Sequence, residues 1–176
     1  YTFANGAERT VEYTPTGEYA ILTDETGRKI KYTYDEMGKE TGKYLYNGDT
    51  EILLESRIYD AAERLAEKHT YKKTLSDTDL HIKEKYTYDA SGKLLKTETY
   101  ENDTLVYTDN ISYTFGAKTT SRVGADGTVS ADTKEYYDNN KNVIKTEVIS
   151  GSNKITTTNT YDYLDRLITS TDAMGN

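Results

Sequence analysis

Five aspartates stand directly after a tyrosine. They are Asp35, Asp60, Asp89, Asp138 and Asp162, following Tyr34, Tyr59, Tyr88, Tyr137 and Tyr161. Two carboxylates converging at a set separation could do general acid–base work. These recur at gaps of 25, 29, 49 and 24 residues, so stacked copies place them in a ladder of turns, each accepting backbone N–H groups as an Asx-type turn does. Asp77-Thr78-Asp79 offers carboxylates to Ca²⁺, but no third ligand falls in register and no glycine follows as in an EF-hand loop. It reads as a solvated turn. The two histidines, His69 and His81, lie 12 residues apart with no motif linking them. Both read as half-exposed strand residues. There is no Gly-x-Ser-x-Gly elbow, His-Glu-x-x-His motif or P-loop. Cys is absent, which excludes disulfides, thiolate metal sites and Cys nucleophiles. The residues therefore predict no catalytic group, no cofactor and no metal. A unique polar constellation, if one exists, falls between His69 and His81, where the pattern is least regular.

Aromatic chemistry is the other candidate. The chain holds 18 Tyr, and exposed rings can stack on the apolar faces of sugars. The competing role is packing and cross-strand pairing between neighbouring strands. Recurrence favours packing, because a packing role must repeat and a binding site need not. Asn102-Asp103-Thr104 and Asn110-Ile111-Ser112 match the glycosylation sequon.

The elements that must hold these residues are strands. The 176 residues suit one domain. Leu, Ile, Val and Phe total 30, about 17% of the chain and under the rough 20% below which disorder is considered. The net charge of −8 is small for this length, and Tyr supplies large buriable rings, so an ordered chain with a thin, tyrosine-rich core is expected. Thr adds 29 residues; Thr and Tyr both favour strands. No apolar run approaches the ~18–20 residues of a membrane span, and no charged segment followed by an apolar one opens the chain as in a signal peptide. The acidic balance argues against non-specific nucleic-acid binding.

The strands repeat. Tyr86-Thr87-Tyr88-Asp89-Ala90-Ser91-Gly92-Lys93-Leu94 is closely matched by Tyr32-Thr33-Tyr34-Asp35-Glu36-Met37-Gly38-Lys39. Tyr113-Thr114-Phe115-Gly116 and Tyr1-Thr2-Phe3-Ala4-Asn5-Gly6 look like degenerate copies. Tyr-x-Tyr puts two rings on one strand face. Asp starts a turn, Gly three residues later suits positive φ, and a basic residue before an aliphatic one opens the next strand. Second turns fall about midway, at Asn47-Gly48, Glu101-Asn102-Asp103, Asp126-Gly127 and Gly151-Ser152-Asn153. Lys29–Tyr34 alternates strictly, and Asn142–Ile149 is β-rich. Each repeat of about 25 residues then holds two strands. Tyr59–His69 is ambiguous. Its composition suits a helix, whereas its phase makes it another repeat with Glu63 in the glycine position; the phase is preferred, since tertiary pairing overrides propensity.

Tyr161-Asp162-Tyr163-Leu164-Asp165-Arg166-Leu167, followed by Thr171-Asp172-Ala173-Met174-Gly175-Asn176, resembles an RHS/YD repeat: Tyr-Asp, two variable residues, Gly-Arg-Leu, then an Asp-x-x-Gly-Asn turn. Asp165 replaces the Gly, and Lys141-Asn142-Val143 replaces Gly-Arg-Leu in the Tyr137 copy. The resemblance spans essentially the whole chain. It implies a piece of a large bacterial RHS or wall-associated surface or toxin protein, secreted or at the cell surface, whose repeats form long curved sheets that spiral into a shell. The chain opens in a degenerate copy and stops in mid-unit, as such a piece would.

The expected fold is all-β: a curved, mostly antiparallel, open sheet of about 12–14 short strands, one array of six to seven repeats over residues 1–176. The expected function is a non-catalytic wall or spacer. Its structural motif residues are Tyr34, Asp35, Gly38, Tyr59, Asp60, Tyr88, Asp89, Gly92, Tyr137, Asp138, Tyr161 and Asp162. The alternative is a carbohydrate- or partner-binding module using exposed Tyr on one sheet face. Partners are adjacent repeats of the parent chain, cell-surface carbohydrate or protein, and a second copy paired edge to edge.

Overall fold

Lys29–Tyr34 alternates Lys and Thr with Ile and Tyr, and Asp35 cannot extend it without leaving the Asx turn. The result is a six-residue strand that stops at the Tyr-Asp junction. The same logic operates along the computed structural model, which describes residues 8–47, 50–73 and 79–175. Fourteen strands follow in order: β1 Thr10–Tyr13, β2 Tyr19–Thr23, β3 Lys29–Tyr34, β4 Glu40–Asn47, β5 Thr50–Tyr59, β6 Leu65–Lys73 and β7 Asp79–Tyr88; then β8 Leu94–Glu101, β9 Thr104–Thr114, β10 Ala117–Gly124, β11 Val129–Tyr137, β12 Val143–Ser150, β13 Asn153–Tyr161 and β14 Leu167–Thr171. They form one open antiparallel sheet in chain order, with no helix among the described residues. Tyr59 closes β5, residues 60–64 turn, and Leu65 opens β6, so the ambiguous Tyr59–His69 segment is a repeat and not a helix. Its helix formers sit in a strand because two neighbouring strands supply its backbone partners.

Two sequence expectations are corrected. Asp126-Gly127 is not a two-residue hairpin; Gly124 to Thr128 form a longer loop. Tyr113-Thr114-Phe115-Gly116 is not a Tyr-Thr-Tyr-Asp copy. Thr114 pairs with Ala117 across a two-residue turn, and Phe115 points into solvent. Gly116, at φ 67°, supplies a left-handed residue for the two-residue connection. The Tyr1–Gly6 copy, the Asn47-Gly48 turn and Asp77-Thr78 lie wholly or partly outside the described residues.

The chain divides into two compact units: Tyr1–Lys85 with Glu101–Asp103, and Tyr86–Tyr100 with Thr104–Asn176. In the first, Val11, Leu22, Ile30, Leu45 and Ile52 stand opposite one another in successive ladders and make an aliphatic row across β1 to β5. Beyond it Arg57 pairs with Glu40 and Glu55, and Lys68 with Glu55. In the second, Glu147 on β12 is only 5% exposed. Lys145 and Lys154 donate to its Oε1 at 2.5 and 2.7 Å, and Tyr136 Oη to its Oε2 at 3.0 Å.

The tyrosine-rich core expected from composition is not enclosed. Among the described residues Ala117 is the one buried apolar side chain, and no side chain is fully buried. A lone sheet has no second layer to pack against, so a side chain is sheltered only by its cross-strand neighbours.

The ammonium groups of Lys145 and then Lys154 push the Glu147 carboxyl down to about 2, from an ordinary 4.5. Because the folded value is depressed, the stabilisation is complete above about pH 4.5 and is lost as pH falls toward 2. Acid unfolding of the wild type should therefore steepen through that window. Glu147→Gln should flatten it and lower the Tm at neutral pH, both read by circular dichroism melts.

Candidate functional site

Eight of the connections share one geometry. The N–H of the first loop residue donates to the carbonyl of the fifth, and the N–H of the fourth returns to the carbonyl of the first. This holds for loops opening at Thr14, Asp24, Asp35, Asp60, Asp89, Gly124, Asp138 and Asp162. It is a type I turn followed by a left-handed residue. The left-handed position holds Gly38 (φ 78°) and Gly92 (φ 86°), but also Glu63, Lys141 and Asp165, at φ 63°, 71° and 60°.

The aspartate locks the loop from its side chain. Oδ1 of Asp35 accepts the N–H groups of Met37 and Lys39, both at 2.9 Å. Asp60, Asp89, Asp138 and Asp162 do the same two and four residues on. Where the fifth residue is arginine, its Nε reaches Oδ2: Arg64 to Asp60 at 2.8 Å, Arg166 to Asp162 at 2.7 Å. The backbone and then the side chain of Arg64 hold the Asp60 carboxyl below the usual range, as the side chain and then the backbone of Arg166 do for Asp162. Ser91 and Asn142 lower Asp89 and Asp138. Carboxylates held ionised, with their oxygens occupied, suit turn closure better than proton donation.

The tyrosine has a separate task. One residue is added to the even strand just past most of these loops, a bulge between Thr33 and Tyr34, Ile58 and Tyr59, and Thr160 and Tyr161 on the facing strand. On β2, β4, β6 and β12 the ladder to the next odd strand begins only past the added residue. Tyr hydroxyls take up the carbonyls beyond it. Tyr34 Oη donates to Tyr19 O at 2.8 Å, Tyr59 Oη to Glu40 O at 2.9 Å and Tyr161 Oη to Val143 O at 3.1 Å. Each bond joins one hairpin to its predecessor. The connection before Tyr137 is the short Phe115-Gly116 turn; there the tyrosine backbone N–H goes to Gly116 O and its hydroxyl to Glu135. Tyr88 ends β7, half-buried.

Two of the non-glycine left-handed residues are tied to the loop before them. Lys39 Nζ reaches both the carbonyl and the carboxylate of Glu63 at 2.8 Å. The side-chain amides of Asn140 and Asn142 reach Asp165 at 2.9 and 2.7 Å.

The other concentration of polar chemistry joins residues that no sequence motif links. Tyr71 stands opposite His81 and His69 opposite Lys83, so the two histidines are diagonal neighbours on one face. His69 Nδ1 lies 2.9 Å from His81 Nε2, His69 Nε2 lies 3.2 Å from Glu67, and Tyr71 stacks on His81 with ring centres 4.7 Å apart. The register of β6 against β7 brings the pair together, and no sequence motif signals it. No group of three metal-ligating side chains converges among the described residues.

Neither the family models nor the curated proteins compared with the chain match its sequence. Solved structures do match. A structure of the Photorhabdus luminescens Tc holotoxin pore with a mutant TccC3 is 18% identical over 93% of this chain, with a TM-score of 0.62. A TcdB2–TccC3–Cdc42 crystal structure is 17% identical over 91%, with a TM-score of 0.44. The chain spans about a tenth of either, 9% and 10%. The first likeness shows a shared fold.

Three substitutions separate these roles. Tyr59→Phe removes one hydrogen bond and should cost about 1 kcal/mol, a Tm loss of about 2–4 °C. Lys141→Gly relieves a left-handed residue and should gain about 0.5–1 kcal/mol. Asp165→Gly should gain less, because it forfeits the bonds from Asn140 and Asn142. Thermal melts of the three variants check the order.

Proposed function

We propose that this chain is a non-catalytic structural segment of a large secreted or cell-surface bacterial RHS/YD-repeat protein, one array forming part of a β-sheet shell or spacer. The carrying observation is where the motif residues spend their hydrogen bonds. Asp35, Asp60, Asp89, Asp138 and Asp162 close their own loops, and Tyr34, Tyr59 and Tyr161 bind the preceding hairpin. Tyr88, Tyr137, Gly38 and Gly92 complete the motif. Residues used this way hold an array together, and their partners are the repeats on either side. The fold shared with a Tc toxin structure over 9% of that chain agrees with a short stretch of a long wall.

A second reading has one observation of its own. Tyr13 and Tyr19 are 60% and 51% exposed, with ring centres 5.6 Å apart. They flank the loop whose Thr14, Thr16 and Glu18, with Asp35 and Glu36, line a hollow of about 420 Å³. Rings beside hydroxyls and carboxylates are the chemistry of a carbohydrate site.

A titration with cell-wall and host glycans, followed by Tyr fluorescence and NMR, separates the two. The wall reading expects no saturable change at millimolar glycan; saturable shifts confined to a few Tyr resonances, Tyr13 and Tyr19 among them, would replace it with the binding module. The wall reading also expects neighbours to stabilise one another. Removing residues 153–176 should lower the melting temperature of what remains, and an unchanged Tm would count against it.

A further inference from the structure

His69 and His81 are the only histidines in the chain, and the fold places them end to end. Glu67 Oε2, His69 Nε2, His69 Nδ1 and His81 Nε2 follow in line, at 3.2 and 2.9 Å. The two imidazoles are within 10° of parallel, with centres 5.1 Å apart. An ionised carboxylate can only accept, so His69 Nε2 carries a hydrogen. In the neutral pair His69 Nδ1 is therefore bare, and His81 Nε2–H donates to it. This leaves the lone pair on His81 Nδ1.

Proton counting on this line has a threshold. A first proton can go to His81 Nδ1, and both hydrogen bonds survive. A second must go to His69 Nδ1. Two N–H groups then face each other across 2.9 Å, with a positive charge on each ring and no lone pair between them. We infer that Glu67, His69 and His81 form an acid-responsive joint in the β6–β7 hairpin, which takes one proton without rearrangement and opens on the second.

The surroundings sharpen the threshold. On β6, Glu67 and Tyr71 share the histidines' face. On β7, Lys83 stands opposite His69, Lys85 opposite Glu67, and Asp79 lies two residues from His81. From β5, uncharged Ser56 faces His69. From the β8–β9 turn, Asp103 accepts Lys83 Nζ at 2.6 Å. Glu67 and Asp103 compensate one added charge, but Lys85 and Lys83 already draw on them. Asn102 clasps the His81 backbone, its N–H on the carbonyl at 2.8 Å and its Oδ1 on the N–H at 3.0 Å. The main chain of β7 is thus held on that side, and the opening falls between β6 and β7.

Nitrogen-resolved NMR of the two imidazoles from about pH 8 to about pH 4, with amide hydrogen exchange over the same range corrected for intrinsic rate, tests this on the unmodified chain. The expected result is two separated macroscopic steps. The second should bring on the order of tenfold faster exchange in residues 65–73 and 79–85, with β12 and β13 unaffected. His81→Gln retains a donor to His69 and should abolish the acid response. Independent titration of both rings at one midpoint, or exchange in β6 and β7 that follows pH as β12 and β13 do, would overturn the inference; the wild-type data decide it even where the variant fails to fold.

Discussion

A sheet without a second layer must be held together within its own plane. Side chains here are covered only by their cross-strand neighbours, so apolar burial supplies less than it does in a globule, and the hydrogen bonds between hairpins carry more of the load. The weak points are the bulges beside the loops, where the main-chain ladder to the next hairpin gives out. The tyrosine hydroxyls of Tyr34, Tyr59 and Tyr161 bridge those points. A phenylalanine would fill the same space and leave the carbonyl beyond the bulge without that donor, which is the physical reason for tyrosine at the end of the strand.

The loops follow from the same constraint. A bulged, strongly twisted strand end needs a connection that turns sharply and does not drift in register. The five-residue loop does this with two main-chain bonds, and the aspartate adds two more from its side chain. Its cost falls on the fourth residue, which must be left-handed. Glycine takes that position freely. Where Glu63 and Asp165 take it, the preceding loop supplies side chains that bind them, so a local strain becomes another tie between hairpins. The Glu147 cluster works similarly in the second unit, where Lys154 of β13 and Tyr136 of β11 converge with Lys145 of the same strand on one carboxylate.

The turn chemistry and the open antiparallel sheet were legible in the sequence, and the contacts across its strands were not. Tyr-Asp followed by Gly, or by Glu63 in phase, located the strand ends and loops, because each turn is specified by residues within five positions. The same short window misjudged Asp126-Gly127, where Gly124 opens the loop in place of aspartate, and Tyr113–Gly116, where a similar tetrapeptide closes a shorter turn. The missing core was hidden because tyrosine content reports ring area and not the number of layers that cover it. The pairing of His69 with His81 depends on the register of one hairpin, which no motif announces.

The heat-capacity change on unfolding tests the central claim most directly. It scales with the apolar surface exposed, about 12–15 cal/mol/K per residue for globular proteins. A sheet held by in-plane hydrogen bonds, with no enclosed core, should unfold with a value well below that range by scanning calorimetry. A value within the range would mean that the faces bury apolar surface as a globule does, and would contradict the account.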